Sequence, residues 1–202
     1  MDKPTAALTA TVRDSGEGER RWFCGGGVFT WKATAEETGG AFIAFEDDLD
    51  GGKVTPMHLH PEADETFYML EGEILLHIDG HERRLGAGGI AVLPRGVPHA
   101  YVVTSPKARM LCFQNPGRGE AFYLDASEPV GQTAPGGVVD FGRVQAAAIK
   151  TGAIEILGHR RFRSPDVGLS CAQETWISRW FRPASLMPAL NRAMSIATPA
   201  GR

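Results

Sequence analysis

From residue 22 to residue 124 the chain alternates short apolar stretches with glycine, proline and acidic breaks. Side chains along a strand point alternately to opposite faces. The run TFYML at 66–70 therefore puts Glu65, Phe67 and Met69 on one face and Thr66, Tyr68 and Leu70 on the other. Similar runs predict strands over residues 41–45, 54–60, 73–78, 81–85, 90–93, 99–104, 109–114 and 121–124, after a first strand pair in WFCGGGVFTW (22–31). Asp79-Gly80 is a two-residue hairpin signal of the kind that needs positive φ. The acidic stretch 46–52 (EDDLDGG) predicts a turn. Eight or more short strands at close, regular spacing predict an all-β sandwich or barrel.

The flanks read differently. Residues 1–20 are small and polar and predict an extended arm able to pair with a neighbour's sheet. Residues 128–137 (EPVGQTAPGG) predict a linker, and 138–151 a helix packing through Val139, Val144, Ala147 and Ile149 and stopped by Gly152. Residues 159–202 carry seven Arg against Asp166 and Glu174, a net +5, whereas residues 1–158 carry fourteen basic and twenty-two acidic groups, a net −8. With Trp176, Trp180 and Phe181 near Arg179 and Arg182, this tail reads as an irregular segment or an amphipathic partner helix. The expected organisation is an arm (1–20), a β domain (21–127), a linker and helix (128–158) and the Arg-rich tail (159–202).

Overall charge and composition narrow the function classes. A net charge of −3 over 202 residues gives no electrostatic footprint for nucleic acid. No apolar run is long enough to span a membrane, and the N-terminus has no apolar core of a secretory signal. Cys24, Cys112 and Cys171 are odd in number and widely spaced, as expected of free thiols in a reducing compartment. The expected location is cytoplasmic.

The candidate chemistry lies in GKVTPMHLHPEADETFYMLEG (52–72) and PRGVPHAYV (94–102). His58 and His60, two apart, share a strand face. With Glu65 and His99 they offer three imidazole nitrogens and one carboxylate, a donor set for Fe, Mn, Ni, Co or Zn without thiolate. Alternation also places Tyr101 and Val103 on the face of His99, so Phe67, Met69, Tyr101 and Val103 are the expected apolar lining of a small-molecule pocket. His77 and His81 are expected on the surface. The glycines 25–27 lack the Lys-Ser/Thr and helix of a phosphate loop.

The spacing Gly52-x5-His58-x-His60-x4-Glu65-x6-Gly72 resembles the first cupin motif, and Gly88-x5-Pro94-x-Gly96-x2-His99 resembles the second. The second motif continues to an Asn four residues after the His, where this chain has Val103. From about Trp22 to Tyr123 the chain is similar to monocupins of the quercetin 2,3-dioxygenase type. The resemblance implies a cupin-type double-stranded β-helix (a jelly-roll barrel) with a short C-terminal helical segment and tail. It further implies one divalent transition metal on His58, His60, Glu65 and His99, a homodimer, and Glu65 as the catalytic base for a flavonol or other enol or phenol oxidised with O₂. The apolar neighbours Phe67 and Met69 are expected to raise the Glu65 pKa. A non-oxidative isomerase, decarboxylase or lyase and a non-catalytic binding cupin are the alternatives. With Val103 in place of Asn, the second N–H of His99 needs either a backbone carbonyl or a water.

Overall fold

The computed structural model describes residues 8–131 and 140–158. The Arg-rich tail, with its tryptophans, and Val139 lie outside the described residues. The strands are β1 (Arg20–Trp22), β2 (Val28–Ala33), β3 (Ile43–Asp50), β4 (Met57–Leu59), β5 (Asp64–Glu71), β6 (Glu73–Ile78), β7 (His81–Gly86), β8 (Ile90–Leu93), β9 (His99–Val103), β10 (Lys107–Asn115), β11 (Glu128–Pro129) and β12 (Glu155–Gly158). The helices are α1 (Glu120–Asp125) and α2 (Phe141–Thr151). All pairings are antiparallel. One sheet has the order β11-β1-β2-β3-β10-β5-β8, the other β12-β4-β9-β6-β7. The two form a double-stranded β-helix.

Period-two alternation builds the interior. On β10, Ala108, Met110, Cys112 and Gln114 are buried while their neighbours are partly exposed. On β5 the buried set is Glu65, Phe67 and Met69. These meet Ile74 and Leu76 of β6 and Tyr101 and Val103 of β9 in one core, which continues through Phe29, Trp31 and Phe45 to Phe122 and Tyr123. Phe29 and Trp31 meet edge-on at 5.3 Å and Phe45 and Tyr123 are tilted at 4.7 Å, separations at which ring quadrupoles attract.

Several expectations are corrected. The acidic stretch 46–52 is strand as far as Asp50. Asp47 and Leu49 point inward and Asp48 and Asp50 outward, and Arg109 reaches Glu46 at 3.2 Å and Glu71 at 2.6 Å across the outer face. The apolar run 121–124 is helical, within α1: a short apolar run fits either state, and here its Phe122 and Tyr123 side chains close one end of the barrel. Residues 128–158 are more than a linker and helix, since β11 pairs with β1 and β12 pairs with β4. Helix α2 is capped by Asp140, whose carboxylate accepts from the Arg143 N–H at 2.8 Å, and ends at Gly152 with φ +64. Val144 and Ala147 pack inward as expected, joined by Phe141 and Ala148, while Ile149 is exposed. The described part of the arm lies on its own chain, where Arg13 donates to Glu37 and to the Lys32 carbonyl. His77 is buried within β6 whereas His81 is exposed.

Two motif glycines differ in what fixes them. Gly72 has φ +73, and a Cβ there would lie 2.3 Å from the Lys107 carbonyl oxygen; Gly88 has φ +81 but open space. Gly72→Ala is expected to cost about 3 kcal/mol or more and Gly88→Ala about 1 kcal/mol, read as the shift in the urea unfolding midpoint at constant slope.

Candidate metal centre

The site forms where the two sheets face each other. His58 on β4 is in register with His99 at the start of β9. His60 follows β4, and its carbonyl accepts from the Gly96 N–H at 2.9 Å, which ties the two motif loops together. Glu65 enters from the opposite sheet, between Leu93 of β8 and Gln114 of β10. The four residues are buried and their donor atoms all lie within 4.8 Å of one another. The rings of His58 and His99 are 4.3 Å apart and those of His60 and His99 5.5 Å.

Hydrogen bonds aim the rings. His58 Nδ1 donates to the Pro56 carbonyl and His99 Nδ1 to the Val97 carbonyl, both at 2.9 Å, so each presents Nε2 to the centre. The partner of His99 that the missing Asn left open is thus a backbone carbonyl two residues upstream. His60 Nε2 lies 3.2 Å from Glu65 Oε2 without hydrogen-bond alignment and is an orphaned buried nitrogen. Donor atoms on a divalent ion at about 2.1 Å can be at most about 4.2 Å apart, so a small contraction turns this cluster into a coordination shell. Three imidazoles, a carboxylate and an unpaired inward nitrogen fit one divalent transition metal.

Glu65 has further partners. Gln114 Nε2 donates to Tyr123 Oη (2.7 Å) and to Glu65 Oε1 (3.0 Å), and Tyr123 O–H and Cys112 S–H point at the same oxygen from 3.4 Å. Neither Gln114 nor Tyr123 belongs to a motif. The signal available was Gln114 occurring on the inward face of β10, whose other inward residues, Ala108, Met110 and Cys112, are apolar. Glycine is required at 119, because a Cβ there would lie 2.2 Å from Gln114 Oε1.

The electrostatics reverse one expectation. Burial pushes the Glu65 carboxyl up, but the charges of the nearby His60 and His99 and the hydrogen bond from His99 outweigh it and hold Glu65 well below the usual carboxylate range. His99 is raised: burial lowers it, and the bond to Glu65 at 3.0 Å more than compensates. His99 Nε2 faces Glu65 Oε2 in the metal-free site, and any proton on that nitrogen must leave before it can be a ligand. His58 is lowered to about 3 by burial and by the charges of its neighbours His99 and His60.

A cavity of about 70 Å³ opens beside the cluster, walled by Phe29, Phe45, Phe67, Tyr101, Met110, Phe122 and Ile156 and touching His58, Glu65 and Asp47. Phe67 and Tyr101 are therefore on its wall. Met69 and Val103 are buried in the core but do not border it.

Residues 45–113 match the Cupin domain family, which supports a cupin fold for that segment. It is 34% identical over 117 residues to quercetin 2,3-dioxygenase of Bacillus subtilis (strain 168), a match covering 57% of this chain and 34% of that protein. It is 36% identical over 59 residues to an uncharacterized protein of Aquifex aeolicus (strain VF5), covering 29% of this chain and 49% of the other. The chain thus spans between a third and a half of the curated relatives it matches. Among solved structures, KdgF from Halomonas sp. superimposes with a TM-score of 0.49 at 22% identity, covering 54% of this chain and 94% of that one.

The shifts give a pH dependence for the metal-free protein. His58 is neutral in the fold down to about 3 and titrates near 6.5 when unfolded, so between these values the unfolded chain holds more protons and stability falls as pH falls. The slope is at most about 1.4 kcal/mol per pH unit from this group. Glu65 adds to the loss at lower pH, while His99, raised, opposes it by favouring the fold as pH drops through its own titration. The chelator-treated protein is expected to lose melting temperature from pH 6.5 to pH 4, and His58→Gln to flatten that slope; differential scanning calorimetry across the range checks it.

Proposed function

We propose that the protein is a metal-dependent cupin enzyme, a dioxygenase that acts on a small enol or phenol at His58, His60, Glu65 and His99. The observation that carries this reading is the buried four-donor cluster opening directly onto an apolar cavity. When bound, Fe, Mn, Ni or Co (or Zn for purely Lewis-acid chemistry) would polarise a substrate oxygen and leave positions for it and for O₂. Cys112 takes no part as ligand, since burial pushes its thiol well up and the thiol donates to Glu65.

The chain's own groups divide the remaining work. Glu65, held ionised, is the base that takes the enol proton through Oε2, while Gln114 and Tyr123 fix its Oε1. Phe67 and Tyr101 exclude water and orient a flat molecule. Ligand pockets for drug-sized molecules run to about 300–1,000 Å³, so a cavity of about 70 Å³ favours a single-ring enol over a three-ring flavonol. The relation to the Bacillus subtilis enzyme supports oxygenase chemistry. The small volume equally favours a second reading, O₂-independent proton transfer on a small enolisable compound, as in an isomerase, decarboxylase or lyase. The proposal includes a cytoplasmic homodimer. Free, buried Cys24 and Cys112 suit a reducing compartment, and the edge strand β8 exposes Ile90 and Val92.

Elemental analysis of the wild type beside His60→Ala tests the centre. The expectation is about one equivalent of Fe, Mn, Ni or Co in the wild type and a loss of tenfold or more in the variant. Oxygen-electrode assays of the loaded protein with catechols, acireductones and flavonols then separate the readings. Uptake with a single-ring substrate supports the dioxygenase, and metal without uptake by any of them transfers support to the O₂-independent enzyme.

A further inference from the structure

The cavity has a polar lining residue besides the metal donors. Asp47 is an inward residue of β3, in register with Phe29 of β2 and Met110 of β10, and all three border the cavity. Its side chain is 7% exposed, and among the described residues Oδ1 has no hydrogen-bond partner. Behind it stands Lys53, whose side chain is 1% exposed. Its amino group lies 3.9 Å from Asp47 Oδ2 and 5.3 Å from the centre of the Phe23 ring, and among the described residues it has no hydrogen-bond partner. The pair is too long to be a hydrogen-bonded ion pair, and both side chains are out of water; burial pushes the Asp47 carboxyl up, and the nearby Lys53 offsets this only in part.

Burying a carboxylate is costly unless its lone pairs are matched, and an apolar pair of equal volume would often serve stability as well. The register offers no reason for an acid here, since the inward neighbours of Asp47 on β3 are Phe45 and Leu49. What distinguishes this position is that a buried residue with an unmatched side-chain oxygen borders the same cavity as the metal donors His58 and Glu65, alongside Thr55, Tyr101, Cys112 and Tyr123. We infer that Asp47 Oδ1 is the acceptor for a hydroxyl group of the substrate, and that Lys53, 3.9 Å from Oδ2, is a positioning residue for that carboxyl group. Resting on the proposed metal site, this narrows the substrate to an enol or phenol with a second, hydroxyl-bearing end, its apolar middle lying against Phe29, Met110 and Tyr101.

Two hydroxypyranones that differ by one hydroxyl test this. Kojic acid and allomaltol share the same chelating enol-ketone, but only kojic acid has a hydroxymethyl group on the far side of the ring. Both are titrated into the full chain loaded with Co(II), with affinity read by calorimetry and attachment to the metal by the cobalt absorption bands. The wild type is expected to prefer kojic acid by roughly 10- to 100-fold, the range for a buried acceptor left without its partner. In Asp47→Leu/Lys53→Met, which removes both polar ends together and so avoids stranding one, the preference is expected to fall to about twofold or less with allomaltol binding unchanged. A melting temperature within a few degrees of wild type is the check that the variant is folded. Should it unfold, Asp47→Asn serves instead and is expected to reduce the preference at least threefold. Equal binding of the two compounds by the wild type, or a preference that survives in the folded variant, overturns the hydroxyl site and leaves the metal site standing. A chain that takes up no Co(II), or binds neither compound, overturns both.

Discussion

One carboxylate organises the barrel. Glu65 is 3% exposed, in a position where an unmatched charge would be untenable. It is retained because the opposite sheet delivers His99 to one of its oxygens while Gln114, Tyr123 and Cys112 converge on the other. Meeting that requirement fixes where β5, β9, β10 and α1 sit relative to one another. Hydrophobic burial drives the two sheets together without direction; the Glu65 network specifies the register in which they meet.

The same network explains why the imidazoles are ready to bind. Each of His58 and His99 spends its Nδ1 proton on a carbonyl two residues back, a local bond that comes with the Pro56 and Val97 turns. The polar neighbour that Val103 cannot supply is therefore not needed at this ring. Orientation is built into the backbone that precedes each ligand.

Much of this was legible in the sequence and some was not, for identifiable reasons. Alternation located β5, β6, β8 and β9, and the spacing of His58, His60, Glu65 and His99 was enough to bring the four together. Acidic residues disguised β3, because Glu46, Asp48 and Asp50 lie on its more open face and only Asp47 turns in. Four apolar residues at 121–124 fit a strand or a helix equally well, and tertiary packing chose the helix. The charge state of Glu65 was misjudged from its strand neighbours Phe67 and Met69, since the groups that set it are imidazoles from the other sheet. Gln114 and Tyr123 escaped for the same reason: alternation could mark Gln114 as an inward polar residue, but that it and Tyr123 meet Glu65 depends on where β10 and α1 lie in space.

The boundaries of the family match carry a consequence of their own. All four donors fall inside residues 45–113, yet Phe29, Phe122, Val144, Ile154 and Ile156, which help wall the cavity, fall outside it. Strand β12, which brings Ile156 alongside His58, comes from beyond the last matched residue. The donor cluster thus lies wholly within the matched segment, whereas the cavity wall is shared between that segment and its flanks. Relatives sharing the matched segment can diverge in what they accept by exchanging flanks alone, and a shared donor set is a poor guide to a shared substrate.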